Sequence, residues 1–232
     1  MIVAAGHTHK GKRKNNEDSF AVGNNFAIVA DGMGGHSKGE VASNMAVEHI
    51  KGCLTALSEI SEKSIVEAVA SANKAILERA AFDKSVSDMG TTVVMCSWAD
   101  DKVIVANVGD SRCYLCSKKK IVQITTDHSY VQSLVDTGKI TAKEAENRSD
   151  KNIILRAVGC EEEVEVDTFN ICVKKGDVLV LCSDGLSGAV PDDDIRKIAQ
   201  SDGNIDEITK MLVDKAYQNG GTDNITAVLV KF

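Results

Sequence analysis

The stretch TTVVMCSWADDKVIVANVGDSRCYLCSKKKIVQIT, residues 91–125, constrains the fold more than any other part of the chain. Apolar runs rich in Val and Ile alternate here with short polar breaks, at Asp100-Asp101 and at Lys118-Lys119-Lys120. Such segments read as three or four strands. Connections this short cannot carry a crossover to a parallel neighbour, so the strands must pair antiparallel. Related segments flank the block: IVAAGHTH, the hairpin DSFAVGNNFAIVAD turning at Gly23-Asn24-Asn25, EVEVDTFNI, DVLVLCSD and the closing ITAVLVKF.

Helical periodicity separates these strands. From Gly39 to about Ser58, the residues Val41, Met45, Val47, Ile50, Leu54 and Leu57 recur at helical spacing. Ile65, Val69, Ala72, Ile76 and Leu77 do the same from about Ser64 to Phe82. Pro191 stands where a helix would begin, with Asp192, Asp193 and Asp194 suited to its positive end, and a last amphipathic helix covers about Ile205 to Gln218. Between Asp127 and Gly159 the pattern breaks into short helical pieces with little apolar content, which predicts an inserted, mobile flap. Strands, two helices, strands, two helices and a strand predict an α+β fold of antiparallel sheets covered by helix pairs. With 232 residues, 43% hydrophobic, and no Pro/Gly/Ser-rich linker, one domain over 1–232 is expected.

Composition excludes several function classes. The formal charge is −7 and no basic run exceeds the length of Lys118-Lys119-Lys120, so a phosphate-backbone footprint is missing and nucleic acid is not an expected partner. The N-terminal MIVAAGHTHKGKRK has too short an apolar stretch for a signal peptide, with its basic residues on the wrong side. No segment approaches the roughly 20 apolar residues that span a bilayer. An odd set of 7 cysteines scattered through apolar runs suits reduced thiols, and the expected location is cytoplasmic. Cys113 and Cys116 form a CxxC with no second pair and no nearby His, so two strand residues are the better reading.

The chemistry lies at strand ends. FAIVADG, VIVANVGD, VLVLCSDG and TDNITAVLV each place an aspartate at the end or start of an apolar segment: Asp31, Asp110, Asp184 and Asp223. Glu17-Asp18 precedes another strand. A single Asp-Gly is an ordinary turn. Repeated at so many strand edges, the pattern predicts carboxylates converging on one edge of a sandwich. Convergent carboxylates repel unless cations lie among them. All-oxygen ligands favour Mg²⁺ or Mn²⁺ over zinc, and two such ions about 4 Å apart can acidify a water. The glycines after Asp31 fit no nucleotide motif. The loop has Ser37-Lys38-Gly39 where a P-loop needs Gly-Lys-Ser/Thr, and Ser37 where a dinucleotide fingerprint needs glycine. Small residues would instead let the main chain approach an ion through the Gly32 carbonyl.

Six motifs in order carry a resemblance: R-x-x-N-E-D at 13–18, DGMGGH at 31–36, GTT at 90–92, VGDSR at 108–112, SDGL at 183–186 and GTDNIT at 221–226. Together they resemble the metal-dependent PP2C-type (PPM) protein Ser/Thr phosphatases in their compact bacterial form, from about Gly6 to Phe232. The resemblance implies a four-layer α-β-β-α sandwich, two antiparallel sheets flanked by helix pairs, with a flap insertion at about 127–159. It implies two or three Mn²⁺ or Mg²⁺ ions. Asp31 would bridge two of them, the Gly32 carbonyl would bind one, and Asp184 and Asp223 would hold the other. Glu17 would reach the metal waters and Asp18 would order them, while Asp110 with Asp184 would form a third metal site. Arg13 would clamp the substrate phosphate, a task that suits its planar fork.

The implied reaction is hydrolysis of phosphoserine and phosphothreonine by a metal-activated water, without a phosphoenzyme, opposing bacterial Ser/Thr kinases. The implied partners are phosphorylated proteins, those kinases and their substrates, and a monomer is expected. No cysteine begins a C-x5-R motif, which argues against a cysteine phosphatase. Two departures stand out. Eukaryotic relatives place a histidine two residues after the bridging aspartate as leaving-group acid, where this chain has Met33; His36 is a nearby candidate, though a solvated loop histidine is the plainer reading. A His-Pro pair common in the flap is replaced by Arg148-Ser149. His128 reads as a structural cap or turn residue. Alternatives are a silent metal-binding regulatory domain, opposed by the retained acids and Arg13, and a small-molecule phosphatase or nuclease, the latter opposed by the acidic charge.

Overall fold

In the computed structural model, which describes residues 2–34, 38–146 and 148–232, three strands come first: β1 (Val3–His9), β2 (Asp18–Val22) and β3 (Phe26–Met33). Helices α1 (Lys38–Thr55) and α2 (Glu62–Phe82) follow, then β4 (Gly90–Thr91), β5 (Val93–Ala99), β6 (Lys102–Val108), β7 (Arg112–Cys116) and β8 (Ile121–Gln123). Two short helices, α3 (Tyr130–Asp136) and α4 (Ala142–Glu146), precede β9 (Asp167–Cys172) and β10 (Val178–Cys182). The single turn α5 (Asp184–Ser187), α6 (Asp192–Ala199), α7 (Ile205–Gln218) and β11 (Ile225–Lys231) complete the chain.

The strands form two sheets, ordered β1-β11-β10-β7-β8 and β2-β3-β5-β6-β9, with β4 beside β3. Every pairing is antiparallel. The period-two alternation of side chains explains the layers. Ala27 and Val29 of β3 pack with Leu179 and Leu181 of β10 and Val228 of β11 between the sheets. Ile28 and Ala30 face the other way, onto Ile50 of α1 and Ile76 of α2. Val180 and Cys182 of β10 pack on Ile195, Ile208 and Leu212 from α6 and α7. Strands covered on both faces read as unbroken apolar runs, as FAIVA and VLVLC do. The four-layer α-β-β-α sandwich expected from the sequence is thus the observed architecture.

Boundaries depart in instructive places. EVEVDTFNI pairs only from Asp167, opposite Asn107. The partner strand ends one residue later, at Val108, because the chain turns at Gly109 with φ +108°, where a Cβ would come within 2.6 Å of the Thr92 side chain. Val164 and Val166 pack instead against the core under α1 and α2. Helix α1 stops at Thr55, leaving Leu57 41% exposed rather than on a buried stripe. Helix α2 starts earlier than its apolar spacing suggests because Ser61 and Ser64 form a reciprocal capping box. The segment after β8 carries α3 and α4 and is pinned at its base by bridges Ser129–Ile154 and Thr91–Val158. His128 holds that base: Gly109 N–H donates to its Nδ1 at 3.0 Å, and its own N–H donates to the Gly109 carbonyl at 2.9 Å. No helix among the described residues is long and apolar enough to cross a membrane.

Candidate metal and phosphate site

The acids converge where both sheets end on the same side. Asp18 and Asp31 are register partners across β2 and β3, which puts their carboxylates on one face. Asp184 opens α5 directly after β10, Asp223 lies just before β11, and Asp110 sits between β6 and β7. Asp18 joins the two sheets: its Oδ2 accepts from Ser183 Oγ at 2.8 Å and from Thr226 Oγ1 at 2.6 Å. Its Oδ1 is buried without a partner among the described residues. Burial pushes its carboxyl up to about 7, against those hydrogen bonds and with the charges of Asp184 and Asp223 adding to the rise.

Asp31 is fixed through its backbone. Its N–H donates to Thr92 Oγ1 at 3.0 Å, and its carbonyl accepts from Thr92 N–H and Thr91 Oγ1, both at 2.9 Å. Thr92 Oγ1 is in turn 2.7 Å from Ser111 Oγ, so the GTT and VGDSR motifs lock together behind the acid. Burial, then the charges of Asp18, Asp184, Asp110 and Asp223, hold the Asp31 carboxyl well above its usual range. Burial and Asp223 also raise Asp184, which accepts a hydrogen bond from Asp31 in partial compensation. Asp110 is pushed up to about 7 by burial and by Asp184 and Asp127. Arg13 reaches over from the loop after β1, its Nη2 donating to Asp223 Oδ2 at 2.7 Å.

Glu17 is placed by its main chain. Its carbonyl accepts from Gly32 N–H at 3.0 Å and from Ser43 Oγ at 2.6 Å, while its N–H donates to Asn224 Oδ1 at 2.7 Å. A Cβ on Gly39, at the start of α1, would lie 2.5 Å from the Gly32 carbonyl oxygen and 2.9 Å from Glu17 Oε2. The bare glycine therefore keeps a small space open between two oxygen donors. Among the described residues, no three His, Cys, Asp or Glu side chains close into a ready ligand cage. The donors are gathered without being drawn together: Arg13 lies on Asp223, and the charges of Asp18, Asp184, Asp110 and Asp223 weigh on Asp31. An all-oxygen set with an orphaned Asp18 oxygen and a cradle at Gly39 fits hard divalent cations.

Arg13, Glu17, Asp18, Asp31, Gly32, Asp110, Asp184 and Asp223 are all brought to this end. His36 lies outside the described residues. Sequence reasoning passed over Asn224, whose Nδ2 donates to the carbonyls of Lys10 and Asn15 at 2.9 Å and so shapes the Arg13 loop. It also passed over Thr92, Ser183 and Thr226, which hold the acids. All four stood inside the recognised motifs, but nothing in their spacing assigned them a task.

A model of the family described as protein phosphatase 2C matches residues 5–229. The chain belongs to this family. This phosphatase 2C chain is 42% identical over 235 residues to the serine/threonine phosphatase Stp of Listeria monocytogenes, covering 97% of this chain and 93% of that one. The crystal structure of Stp1 from Staphylococcus aureus superposes with a TM-score of 0.94 at 33% identity, over 100% of this chain and 95% of that one. The catalytic domain of the phosphatase PstP, solved in complex with 2 manganese ions, gives a TM-score of 0.89 at 34% identity over 99% and 97% of the two chains.

Proposed function

We propose that this serine/threonine phosphatase of the 2C family hydrolyses phosphoserine and phosphothreonine through divalent ions held by the acids at the sheet ends, and that residues 1–232 form one catalytic domain. The observation that carries the reading is the set of buried aspartates whose burial and mutual repulsion outweigh the charges of Arg13 and Arg112: Asp18, Asp31, Asp110 and Asp184 all have raised carboxyl pKa values. In this reading Asp31, the Gly32 carbonyl, Asp184 and Asp223 would hold the ions, Glu17 and Asp18 would order the waters around them, and Asp110 with Asp184 would offer a further position. The 2 manganese ions of the similar PstP domain support the type of ion and the number two.

When bound, the ions supply positive charge for a phosphate dianion and a water acidic enough to attack phosphorus at neutral pH. The chain does the rest. Asp18, held by the Ser183 and Thr226 hydroxyls of the other sheet, and Asp31, held through its own main chain by Thr92, keep the acids from relaxing apart. Arg13 exchanges its bond to Asp223 for the substrate phosphate, whose two oxygens match the guanidinium fork. Met33 cannot donate a proton, so the departing alkoxide takes its proton from water at this open end of the sandwich. The substrates are phosphorylated proteins, the work of Ser/Thr kinases is reversed, and the enzyme acts as a cytoplasmic monomer.

The test is release of phosphate from p-nitrophenyl phosphate and from a phosphothreonine peptide with added Mn²⁺ or Mg²⁺. Turnover that requires the ion and disappears in Asp184→Asn is expected. Inactivity with every divalent ion, or full activity in Asp184→Asn, would overturn the reading.

A further inference from the structure

A groove of about 380 Å³ opens beside Met33, between that residue and the chain from Ile154 to Glu165. Met33 lies two residues beyond Asp31 on β3, on the same face, so its Cα stands about 7 Å along the strand from that of Asp31. Its apolar lining includes Met33, Ala157 and Val164, and the exposed Glu161, Glu163 and Glu165 form its lip. Arg156 also lines it, but that charge is committed to Glu165 and Asp167, each at 2.7 Å. Neither Glu161 nor Glu163 has an ion-pair partner among the described residues. The groove therefore carries two uncompensated negative charges over an aliphatic floor.

The rim is also rigid. Buried Asn73 of α2 accepts from Gly159 N–H at 2.6 Å and donates to the carbonyl of Glu161 at 2.9 Å. Gly159 itself, at φ +91°, is pressed against Ile76 of the same helix. A groove so held, acidic at the lip and aliphatic below, matches a side chain with an aliphatic stem and a cationic head.

We propose that this groove takes an arginine or lysine two positions from the phosphorylated residue of an extended protein substrate. Two residues of extended chain span about 7 Å, the same distance that separates Asp31 from Met33. The stem lies over Met33 and Val164, and the head meets Glu161 and Glu163. The site thereby selects basic neighbours, an inference that rests on the phosphatase reading for its substrate and on the groove alone for its preference.

Phosphothreonine peptides carrying Arg or Glu two positions before or after the phosphorylated residue test this in wild type and in Glu161→Gln/Glu163→Gln. The ratio of kcat/KM for the Arg peptide over the Glu peptide cancels any change common to both. A wild-type ratio of about fivefold at low salt is expected on one of the two sides, the size that one or two exposed ion pairs provide. It should fall toward one in high salt and in the double variant. An equal ratio in both proteins, or none in wild type, overturns the proposal. A second readout needs no turnover: amide shifts on adding the unphosphorylated Arg peptide. Shifts confined to the 157–165 segment and lost in the double variant support the groove, and their absence in wild type overturns it. Failure of phosphate release from every peptide would count against the phosphatase reading, with the groove then judged by the shifts.

Discussion

Two polar clusters are neighbours at one end of the sandwich, around Arg112 and around Asp31, and they are bonded differently. Arg112 Nε donates to both oxygens of Asp127 at 3.0 Å, its Nη2 to Asp127 Oδ2 at 2.6 Å, and its Nη1 to Tyr114 Oη at 3.0 Å. Gln123 adds a further donor to Asp127 at 2.9 Å. Charge and hydrogen bonds are balanced there, as burial demands. Around Asp31 the same folding forces gather acid upon acid, with Arg13 the cation in direct contact. Proteins tolerate such an imbalance where something else is meant to complete it. One cluster holds β7 to the chain after β8, and the other, in the proposed reading, is left unbalanced for ions to complete.

The contrast predicts opposite responses to losing a charge. Asp184→Asn should lower metal-dependent turnover by about a thousandfold, since several kcal/mol of charge stabilisation are at stake. The same change should leave the thermal midpoint of the chelated protein level or higher, because it relieves repulsion from Asp223 and its neighbours. A sharp drop in that midpoint would show that the acids are structural and would break the comparison.

Arg112→Met is the mirror experiment. It strands Asp127 among buried neighbours and should cost about 3 kcal/mol in urea unfolding, the low end for a buried pair because the Arg112 side chain is 31% exposed. Arg112→Met/Asp127→Leu should recover much of that loss. The arginine also lowers the carboxyl pKa of Asp184, on which Asp127 does not act, so the recovered double variant should still bind Mn²⁺ differently from wild type. Unaltered Mn²⁺ affinity in calorimetric titration would show the two clusters to be independent.

The same division governs how much could be read in advance. Asp31, Asp110, Asp184 and Asp223 were legible because each ends an apolar run, a local signal, and the layers were legible because the alternation of FAIVA and VLVLC is local too. Asn224 was not, since it acts on Lys10, Asn15 and Glu17, more than 200 residues away in sequence. Ser183 and Thr226 were hidden for the same reason: they meet Asp18 only once two sheets have stacked. The start of β9 was misjudged because alternation in EVEV reports burial of Val164 and Val166 under α1 and α2, not pairing with a strand. Long-range hydrogen bonds leave no periodic trace.

Titration gives a finer test. An acid whose folded-state pKa exceeds its unfolded value keeps its proton in the native state after the unfolded chain has released it. Asp18 and Asp110 move from 3.8 to about 7 on folding, through burial first. Between those values the native state binds more protons, so the chelated protein should lose stability as pH rises from about 4 to about 7 and level off above. Saturating Mn²⁺ should flatten or reverse that slope, because the ion replaces the protons and favours ionised acids. Thermal midpoints at pH 5 and pH 7.5, with and without the ion, decide it. A chelated protein equally stable at both values would mean that neighbouring charges already neutralise the cluster.

The smallest effect on stability belongs to Arg13. Its bond to Asp223 at 2.7 Å resembles the Arg112 pair in length, yet the two side chains are 61% and 34% exposed. Water screens such a pair, and removal of Arg13 should change unfolding free energy by less than about 1 kcal/mol. In the proposed reading its worth lies in the substrate. Arg13→Ala should raise KM for a phosphothreonine peptide by roughly tenfold or more, the size of one lost charge-assisted pair, with a smaller change in kcat. Arg13→Lys should recover charge without the bidentate fork and fall between the two. A large loss of stability without a change in KM would place Arg13 with Arg112, as a structural cation that happens to lie over the acids.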